Sequence, residues 1–327
     1  MVPDHGGRLN RAAVDYGIPA GDWLDLSTGI NPRPWPVPPI PTAVWQRLPE
    51  ADDGLERVAR EWAGAPASAG CLPVAGSQAA IQALPRLRAP CRVGVPEPGY
   101  AEHGAWWWQA GHTVVSVPLD AVEQSLPELD VLVWVHPNNP MGLTVPRQQL
   151  LDWHHALTVR GGWLVVDEAF IDPMPEASVT GATGVDGLVV MRSLGKFFGL
   201  AGVRAGLVFG PEGLCHALDE LLGPWAVSHP ARWLTARALA DRDWQAATRE
   251  WLQASARSLD TVLDAHGLAP AGGSPLFRYS LCAQAAAWQD HLARSGILVR
   301  RFQEPAALRF GLPPDDDALQ RLDRALA

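Results

Sequence analysis

The chain has 327 residues, of which 47% are hydrophobic and 19% are charged, and this composition is typical of a folded protein and excludes a disordered one. Its length predicts about two domains. The net charge of −9 argues against a general binder of nucleic acids or of anionic membranes.

The amino-terminal residues 1–41 contain the proline-rich segment NPRPWPVPPIP, which cannot form a regular helix or a central strand. We therefore expect an extended arm. In residues 42–225, helix-length segments alternate with short apolar runs, and the strand candidates are 91–95, 112–117, 131–135, 162–167, 188–193 and 205–210. Such runs predict a mostly parallel sheet covered by helices on both faces. Residues 226–327 combine long helical stretches with further strand candidates, which predicts a smaller α+β domain.

The four cysteines, Cys71, Cys91, Cys215 and Cys282, are widely spaced and form no CxxC pair. This pattern favours reduced thiols over a disulfide framework or a zinc site. The start of the chain lacks the apolar core of a signal peptide, and the apolar runs are too short to span a bilayer. The ten histidines show no metal-ligand spacing such as HExxH. We expect a soluble cytoplasmic protein without a metal site.

Lys196 is the only lysine among the 26 lysine and arginine residues of the chain. Arginine stays protonated, so it cannot act as an amine nucleophile, whereas lysine can do so once burial or nearby charge lowers its pKa. Schiff-base formation with a carbonyl compound requires such a primary amine. A surface lysine kept by chance is the alternative, and the neighbouring motifs must decide between the two interpretations.

Two of these motifs follow short apolar stretches, and open parallel sheets bind their ligands beyond the carboxyl ends of their strands. In AGSQAA (75–80), Gly76 permits close backbone approach, and the amides of Ser77 and Gln78 begin a helix suited to a phosphate. In HPNNPMG (136–142), two prolines stiffen the loop that carries Asn139, so its amide can be held over a ligand. Either motif taken alone could be an ordinary turn.

The remaining motifs supply charged groups. VVDEAFID places Asp167 at the end of a buried strand, where a carboxylate needs a cationic partner such as a protonated ring nitrogen. Ser193 lies three residues before Lys196, and Arg204 lies eight residues after it, so both can complete an anion cradle. An amine, a carboxylate, a fixed amide and a phosphate cradle are the parts that bind pyridoxal phosphate.

The order G-S-Q, N-N-P-x-G, D-E-A-F and S-L-x-K, with an arginine eight residues after the lysine, resembles the fold-type I pyridoxal phosphate (PLP) enzymes. The resemblance covers essentially the whole chain and is closest to the histidinol-phosphate aminotransferase group. It implies an α/β fold with a large PLP-binding domain (42–225), a small carboxy-terminal domain (226–327), and an arm (1–41) that contributes to the substrate pocket. It also implies a homodimer that acts on a small phosphorylated amino acid.

The resemblance assigns a role to each motif residue. Lys196 would bind the cofactor covalently, Asp167 would pair with the pyridinium nitrogen, and Asn139 would contact the phenolic oxygen. Tyr100 would flank the ring, and Phe170 stands where aminotransferases usually carry a tyrosine. The residues implied for the phosphate are Gly76, Ser77, Gln78, Ser193 and Arg204.

The two ends of the chain resemble the threonine-phosphate decarboxylase family more narrowly, through HGG near the start, STGINP (27–32), DEAFID, and GPWAVSHPA (223–231). In that family Arg300 and Arg309, in ILVRRF and LRFGLP, would address the substrate's phosphate and carboxylate. The implied substrate residues are His5, Gly7, Asn31, Arg300 and Arg309. One departure is Leu48, where relatives commonly carry a tyrosine that reaches the cofactor phosphate of the neighbouring subunit.

Three functions are compatible with these motifs. The leading one is decarboxylation of L-threonine O-3-phosphate to (R)-1-amino-2-propanol O-2-phosphate in cobalamin biosynthesis. The alternative is transamination by a histidinol-phosphate aminotransferase, because the cofactor motifs do not determine which bond to Cα breaks. A PLP-binding regulator without turnover is disfavoured, since the lysine is intact and no DNA-binding domain is recognisable in the sequence.

Overall fold

The computed structural model describes residues 6–327. Its strands are β1 (Leu24–Leu26), β2 (Ala69–Val74), β3 (Arg92–Glu97), β4 (Thr113–Pro118), β5 (Val131–Val135), β6 (Trp163–Asp167), β7 (Leu188–Ser193), β8 (Gly206–Pro211), β9 (Gly272–Ser274), β10 (Phe277–Leu281), β11 (Ile297–Phe302) and β12 (Ala307–Gly311).

The helices of the same residues are α1 (Leu9–Tyr16), α2 (Thr42–Gln46), α3 (Leu55–Ala63), α4 (Ser77–Ala83), α5 (Ala101–Gln109), α6 (Val122–Ser125), α7 (Arg147–Thr158), α8 (Glu212–Leu222), α9 (His229–Ala240), α10 (Arg242–Ala265), α11 (Ala285–Arg294) and α12 (Asp316–Leu326). None of them combines the length and the hydrophobicity that a membrane span requires.

The chain divides into two compact units. The smaller unit comprises Met1–Pro34, Pro140–Leu143 and Ala246–Ala327, and the larger unit comprises Trp35–Asn139 and Thr144–Gln245. The sequence analysis predicted boundaries after residues 41 and 225, whereas the larger unit begins at Trp35 and also includes α9. There Arg232 of α9 binds Asp53, with Nε 2.6 Å from Oδ2 and Nη2 2.8 Å from Oδ1.

The larger unit contains a seven-stranded sheet in the order β2-β8-β7-β6-β5-β3-β4. Its neighbours from β7 to β4 run parallel, whereas β8 runs antiparallel to both β7 and β2. β5 and β7 are buried along their whole length, and β6 is buried except at Trp163, as expected for strands covered on both faces. The predicted mostly parallel sheet is therefore confirmed. The prediction did not include β2, an edge strand that accommodates Pro73.

The register of the parallel strands determines where the site forms. Val135, the last residue of β5, lies opposite Asp167, the last residue of β6, and Asp167 lies opposite Met191 of β7. The segments that follow these strands therefore begin at the same edge of the sheet. These segments carry Asn139 and Lys196.

The smaller unit contains a five-stranded sheet in the order β1-β11-β12-β10-β9. The pair β1–β11 is parallel and the other pairs are antiparallel. Arg309 of β12 lies directly opposite Arg300 of β11 and Tyr279 of β10, so these three side chains share one face.

Candidate active site

Lys196 lies in a short turn after β7 whose position is fixed by packing. The carbonyl of Phe198 accepts a hydrogen bond from the amide of Trp35 at 2.9 Å, and the Phe198 ring stacks on Trp244 with a centroid distance of 5.6 Å. On the other side, the ammonium nitrogen of Lys196 is 5.2 Å from the centroid of the buried Phe170 ring. The only amine side chain of the protein is thus held by a rigid aromatic support.

Asp167 is a buried carboxylate with two hydrogen-bond contacts of its own. Its Oδ1 accepts from the amide of Ala169 at 3.1 Å, and its Oδ2 lies 2.9 Å from Nε2 of His103, which is also buried. These contacts fix the orientation of the carboxylate. His103 is a site residue that the sequence analysis missed. The available signal was its position three residues after Tyr100, the residue before α5, because this spacing brings two side chains close together at the start of a helix.

Tyr100 stands beside this pair, with its ring centroid 6.0 Å from that of His103. Its hydroxyl donates to Oε1 of Gln78 at 3.3 Å. Burial, together with the carboxylates of Asp167 and Glu102, raises the pKa of Tyr100 to about 12. The hydroxyl is therefore protonated at neutral pH, and an uncharged ring borders the site.

The start of α4 forms a cradle with the turn before β8. A Cβ added to Gly76, whose φ is 76°, would lie 2.8 Å from Nη2 of Arg204, and a Cβ on Gly206 would lie 2.7 Å from the amide nitrogen of Ser77. Arg204 itself has a φ of 55°, an uncommon conformation for a residue other than glycine. Close approach of these backbone segments brings the guanidinium to the amino terminus of the helix.

Ser193 and Asn139 complete this group. Ser193 lies opposite Gly206 in the sheet, next to the cradle, and its Oγ accepts from the amide of Gly195 at 3.2 Å. Asn139 follows Asn138, a buried residue whose Nδ2 donates to the carbonyl of Pro98 at 3.1 Å and so anchors the loop.

These residues fit PLP. The primary amine matches the aldehyde of the cofactor, the buried carboxylate matches its ring nitrogen, and the cradle matches its phosphate. The two glycine positions support this match, because a side chain at either of them would collide with the cradle. The larger unit alone therefore contains every residue that the sequence analysis assigned to the cofactor.

The smaller unit contains the predicted arginines, and Arg309 is only 7% exposed. Its Nη2 donates to the carbonyl of Ser27 at 3.0 Å. Burial and the neighbouring charge of Arg300 lower the pKa of Arg309 to about 10. Two like charges on adjacent strands repel each other, so a bound anion would stabilise this arrangement.

Ser27 contacts two of the predicted substrate residues, Gly7 and Arg309. Its Oγ accepts from the amide of Gly7 at 2.8 Å and donates to Asp25 at 2.6 Å. Asn31 is buried, and its Oδ1 accepts from the amide of Arg33 at 2.9 Å, which holds the turn. His5 lies outside the described residues. Ser27 is a further residue of this cluster, and its role was not predicted.

The chain is similar to known proteins along nearly its whole length. The family model for aminotransferase class I and II matches residues 24–326. The chain belongs to this family. It is 53% identical to a threonine-phosphate decarboxylase from Pseudomonas aeruginosa, over 99% of this chain and 97% of the relative. It is 41% identical to a threonine-phosphate decarboxylase from a Sinorhizobium species, again over 99% of this chain and 97% of the relative.

Solved structures of the family share the fold. Histidinol-phosphate aminotransferase from Sinorhizobium meliloti, in complex with pyridoxal-5'-phosphate, superposes with a TM-score of 0.83 and 20% identity, covering 100% of this chain and 94% of that one. L-threonine-O-3-phosphate decarboxylase from Porphyromonas gingivalis has a TM-score of 0.77 and 18% identity, covering 92% and 97% of the two chains. The predicted α/β fold of a fold-type I PLP enzyme is confirmed.

Proposed function

We propose that this family member is a PLP-dependent enzyme that decarboxylates L-threonine O-3-phosphate to (R)-1-amino-2-propanol O-2-phosphate in cobalamin biosynthesis. The observation that carries the proposal is the 53% identity to a threonine-phosphate decarboxylase along nearly the full length of both chains. Histidinol-phosphate aminotransferase, the alternative, has weaker support. A relative of that name from Legionella pneumophila is 31% identical over only 58% of this chain.

PLP is the cofactor of this reaction, and the larger unit supplies its contacts. Lys196 would bind it covalently, Asp167 would hold a proton at its ring nitrogen, and Asn139 would contact its phenolic oxygen. The remaining proposed contacts are Gly76, Ser77, Gln78, Tyr100, Phe170, Ser193 and Arg204. When bound, PLP supplies an electron sink for the bond to Cα that breaks.

The side chains of the protein then orient the substrate and move its protons. His103 keeps the Asp167 carboxylate in one orientation, so that its charge would stay beside the protonated ring nitrogen. Lys196 would hold the cofactor before the substrate binds, and its amine would donate the proton that Cα gains when carbon dioxide leaves. Phe170 cannot donate a hydrogen bond, so Asn139 would be the side chain that donates to the phenolic oxygen.

We propose that Arg309 selects the bond that breaks by holding the substrate's carboxylate. Arg300 would hold the phosphate together with the segment that contains His5, Gly7 and Asn31. The paired guanidinium groups on one sheet face support this assignment, since the substrate carries two anionic groups.

A test of Arg309 is its replacement by lysine, which keeps the charge but loses the bidentate fork. The loss of one charge-assisted hydrogen bond of about 1.5–3 kcal/mol predicts that kcat/KM for decarboxylation falls about tenfold to a hundredfold. Binding of PLP should not change, because Arg309 is a substrate residue. The measurements are carbon dioxide release and cofactor absorbance after mixing with threonine phosphate.

The matched control is Arg301→Lys, because Arg301 lies on the opposite face of β11 from Arg300 and should tolerate the change. Normal decarboxylation by Arg309→Lys would mean that the carboxylate is held elsewhere, and Arg300 would become the next candidate.

The experiment that tests the function itself is incubation of the purified holoenzyme with threonine phosphate. We expect stoichiometric carbon dioxide and aminopropanol phosphate. A parallel reaction with histidinol phosphate and 2-oxoglutarate should give no amino transfer. Amino transfer without carbon dioxide release would replace the proposal with the aminotransferase alternative.

We further propose a homodimer located in the cytoplasm, acting on a small phosphorylated amino acid. The four cysteines are free thiols in the structure, which supports a reducing compartment. Leu48 is 61% exposed, and it cannot make the hydrogen bond to a neighbouring subunit's cofactor that a tyrosine would make there. A dimer of this protein would therefore form without that bond.

A further inference from the structure

Behind Gln78 and Tyr100 lies a third side chain, Glu102, whose role the proposed mechanism leaves open. Its residue is 9% exposed. One carboxylate oxygen, Oε2, accepts from Nε2 of Gln78 at 2.7 Å and from Nε1 of Trp106 at 2.9 Å. A carboxylate buried to this degree is costly unless donors surround it, and both donors here come from well-packed helices.

This carboxylate determines the orientation of the Gln78 amide. An ionised carboxylate only accepts hydrogen bonds, so the amide must turn its NH₂ group towards Glu102 and its Oε1 away from it. Oε1 is the atom that accepts from the Tyr100 hydroxyl at 3.3 Å. The three side chains therefore form a hydrogen-bond network in which Tyr100 donates to Gln78 and Gln78 donates to Glu102.

The residues of this hydrogen-bond network lie at both the phosphate end and the ring end of the proposed cofactor site. Gln78 is the second residue of α4, which begins at the cradle, and Tyr100 immediately precedes α5, which carries His103 and its contact to Asp167. A change at Glu102 would thus reach the phosphate end and the ring end together.

We propose that Glu102 is a positioning residue that fixes the Gln78 amide and, through it, the ring of Tyr100 against the cofactor. The inference rests on the proposed use of PLP and not on which reaction follows. Without the carboxylate, the Gln78 amide can turn over. The Tyr100 hydroxyl then loses the Gln78 oxygen as an acceptor, and this contact no longer orients the ring.

The test is Glu102→Leu, which removes the acceptor and keeps an apolar side chain of similar size. We expect the dissociation constant of PLP from the apoenzyme to rise about tenfold, the change that corresponds to one charge-assisted hydrogen bond. The visible circular dichroism of the bound cofactor should also weaken, because it reports how firmly the ring is held. Both readouts are independent of turnover.

Two variants separate positioning from packing. Glu102→Gln retains an acceptor oxygen for both donors and should restore the affinity and the dichroism. Trp106→Phe removes the other donor to Glu102 and should lower the melting temperature without changing either cofactor readout. If Glu102→Leu does not fold, Gln78→Leu can replace it. This variant removes the acceptor of the Tyr100 hydroxyl directly and should produce the same loss of dichroism.

Wild-type affinity and dichroism in Glu102→Leu, or in Gln78→Leu, would overturn the proposal, as would an equal loss of affinity in Trp106→Phe. A wild-type protein that binds PLP but does not decarboxylate threonine phosphate would contradict the proposed function alone. The role of Glu102 would still be measurable in that case.

Discussion

Replacement of Lys196 by arginine is expected to abolish turnover and leave the fold intact. Arginine can keep the positive charge above the Phe170 ring, but it cannot act as an amine nucleophile or as a proton carrier at neutral pH. The loss of an essential acid–base group alone predicts a decrease in kcat of about 10²–10⁴-fold, and the loss of covalent cofactor binding adds to it. The measurement is carbon dioxide release from threonine phosphate.

The single lysine makes this prediction unusually easy to test. Borohydride reduction of the wild-type holoenzyme should fix the cofactor on the peptide that contains Lys196, with the α-amino group as the other primary amine of the chain. The Lys196→Arg protein should show no such label and an unchanged melting temperature. An active, unlabelled Lys196→Arg protein would refute the central assignment of the site.

Asp167→Asn is expected to retain PLP and to lose most of its activity. The variant keeps the shape of the side chain, but the ring nitrogen loses the charge that holds its proton. Removing one partner of a buried charge pair typically costs about 3–5 kcal/mol, which corresponds to a decrease in kcat of about 10²-fold to about 5 × 10³-fold if the transition state bears the whole loss. Absorbance measures cofactor retention and carbon dioxide release measures turnover.

The control is Asp172→Asn, which removes a second buried carboxylate in the same motif, one that binds Arg192. Asp172→Asn should lower the melting temperature while the activity per folded molecule stays close to that of the wild type. The activity of His103→Leu should lie between those of Asp167→Asn and Asp172→Asn, because Asp167 keeps its charge but loses a contact that orients it. If Asp167→Asn retained its activity, this carboxylate would have a structural role only.

The sequence predicted the parts of the fold that have a strong local signal. The run VLVWV became β5 with the expected bounds, and the runs around 163–167 and 188–193 became β6 and β7. β1 and β9 have three residues each, too few for an alternating pattern to be recognised. The predicted boundary after residue 225 and the bounds of the compact units differ at α9, where Arg232 forms an ion pair with Asp53, a residue far away in the chain.

The same distinction applies to the site. Spacing within single motifs indicated Lys196, Asp167 and Arg204, because the chemistry of each group is visible in its own segment. His103, Glu102 and Ser27 were not predicted, because each contacts a residue from another segment of the chain. For His103 the spacing from Tyr100 was the only local signal. The left-handed backbone of Arg204 was also unpredictable, since arginine has no preference for it.

The topology of the smaller unit has a consequence for biosynthesis. Its sheet pairs β1 with β11, so that Leu24 lies opposite Ile297. In a nascent chain β1 is synthesised before its partner β11. All strands of the larger unit are synthesised in the interval. We therefore expect the larger unit to fold first during translation. Until β11 has been synthesised, β1 lacks its partner strand and is exposed to aggregation.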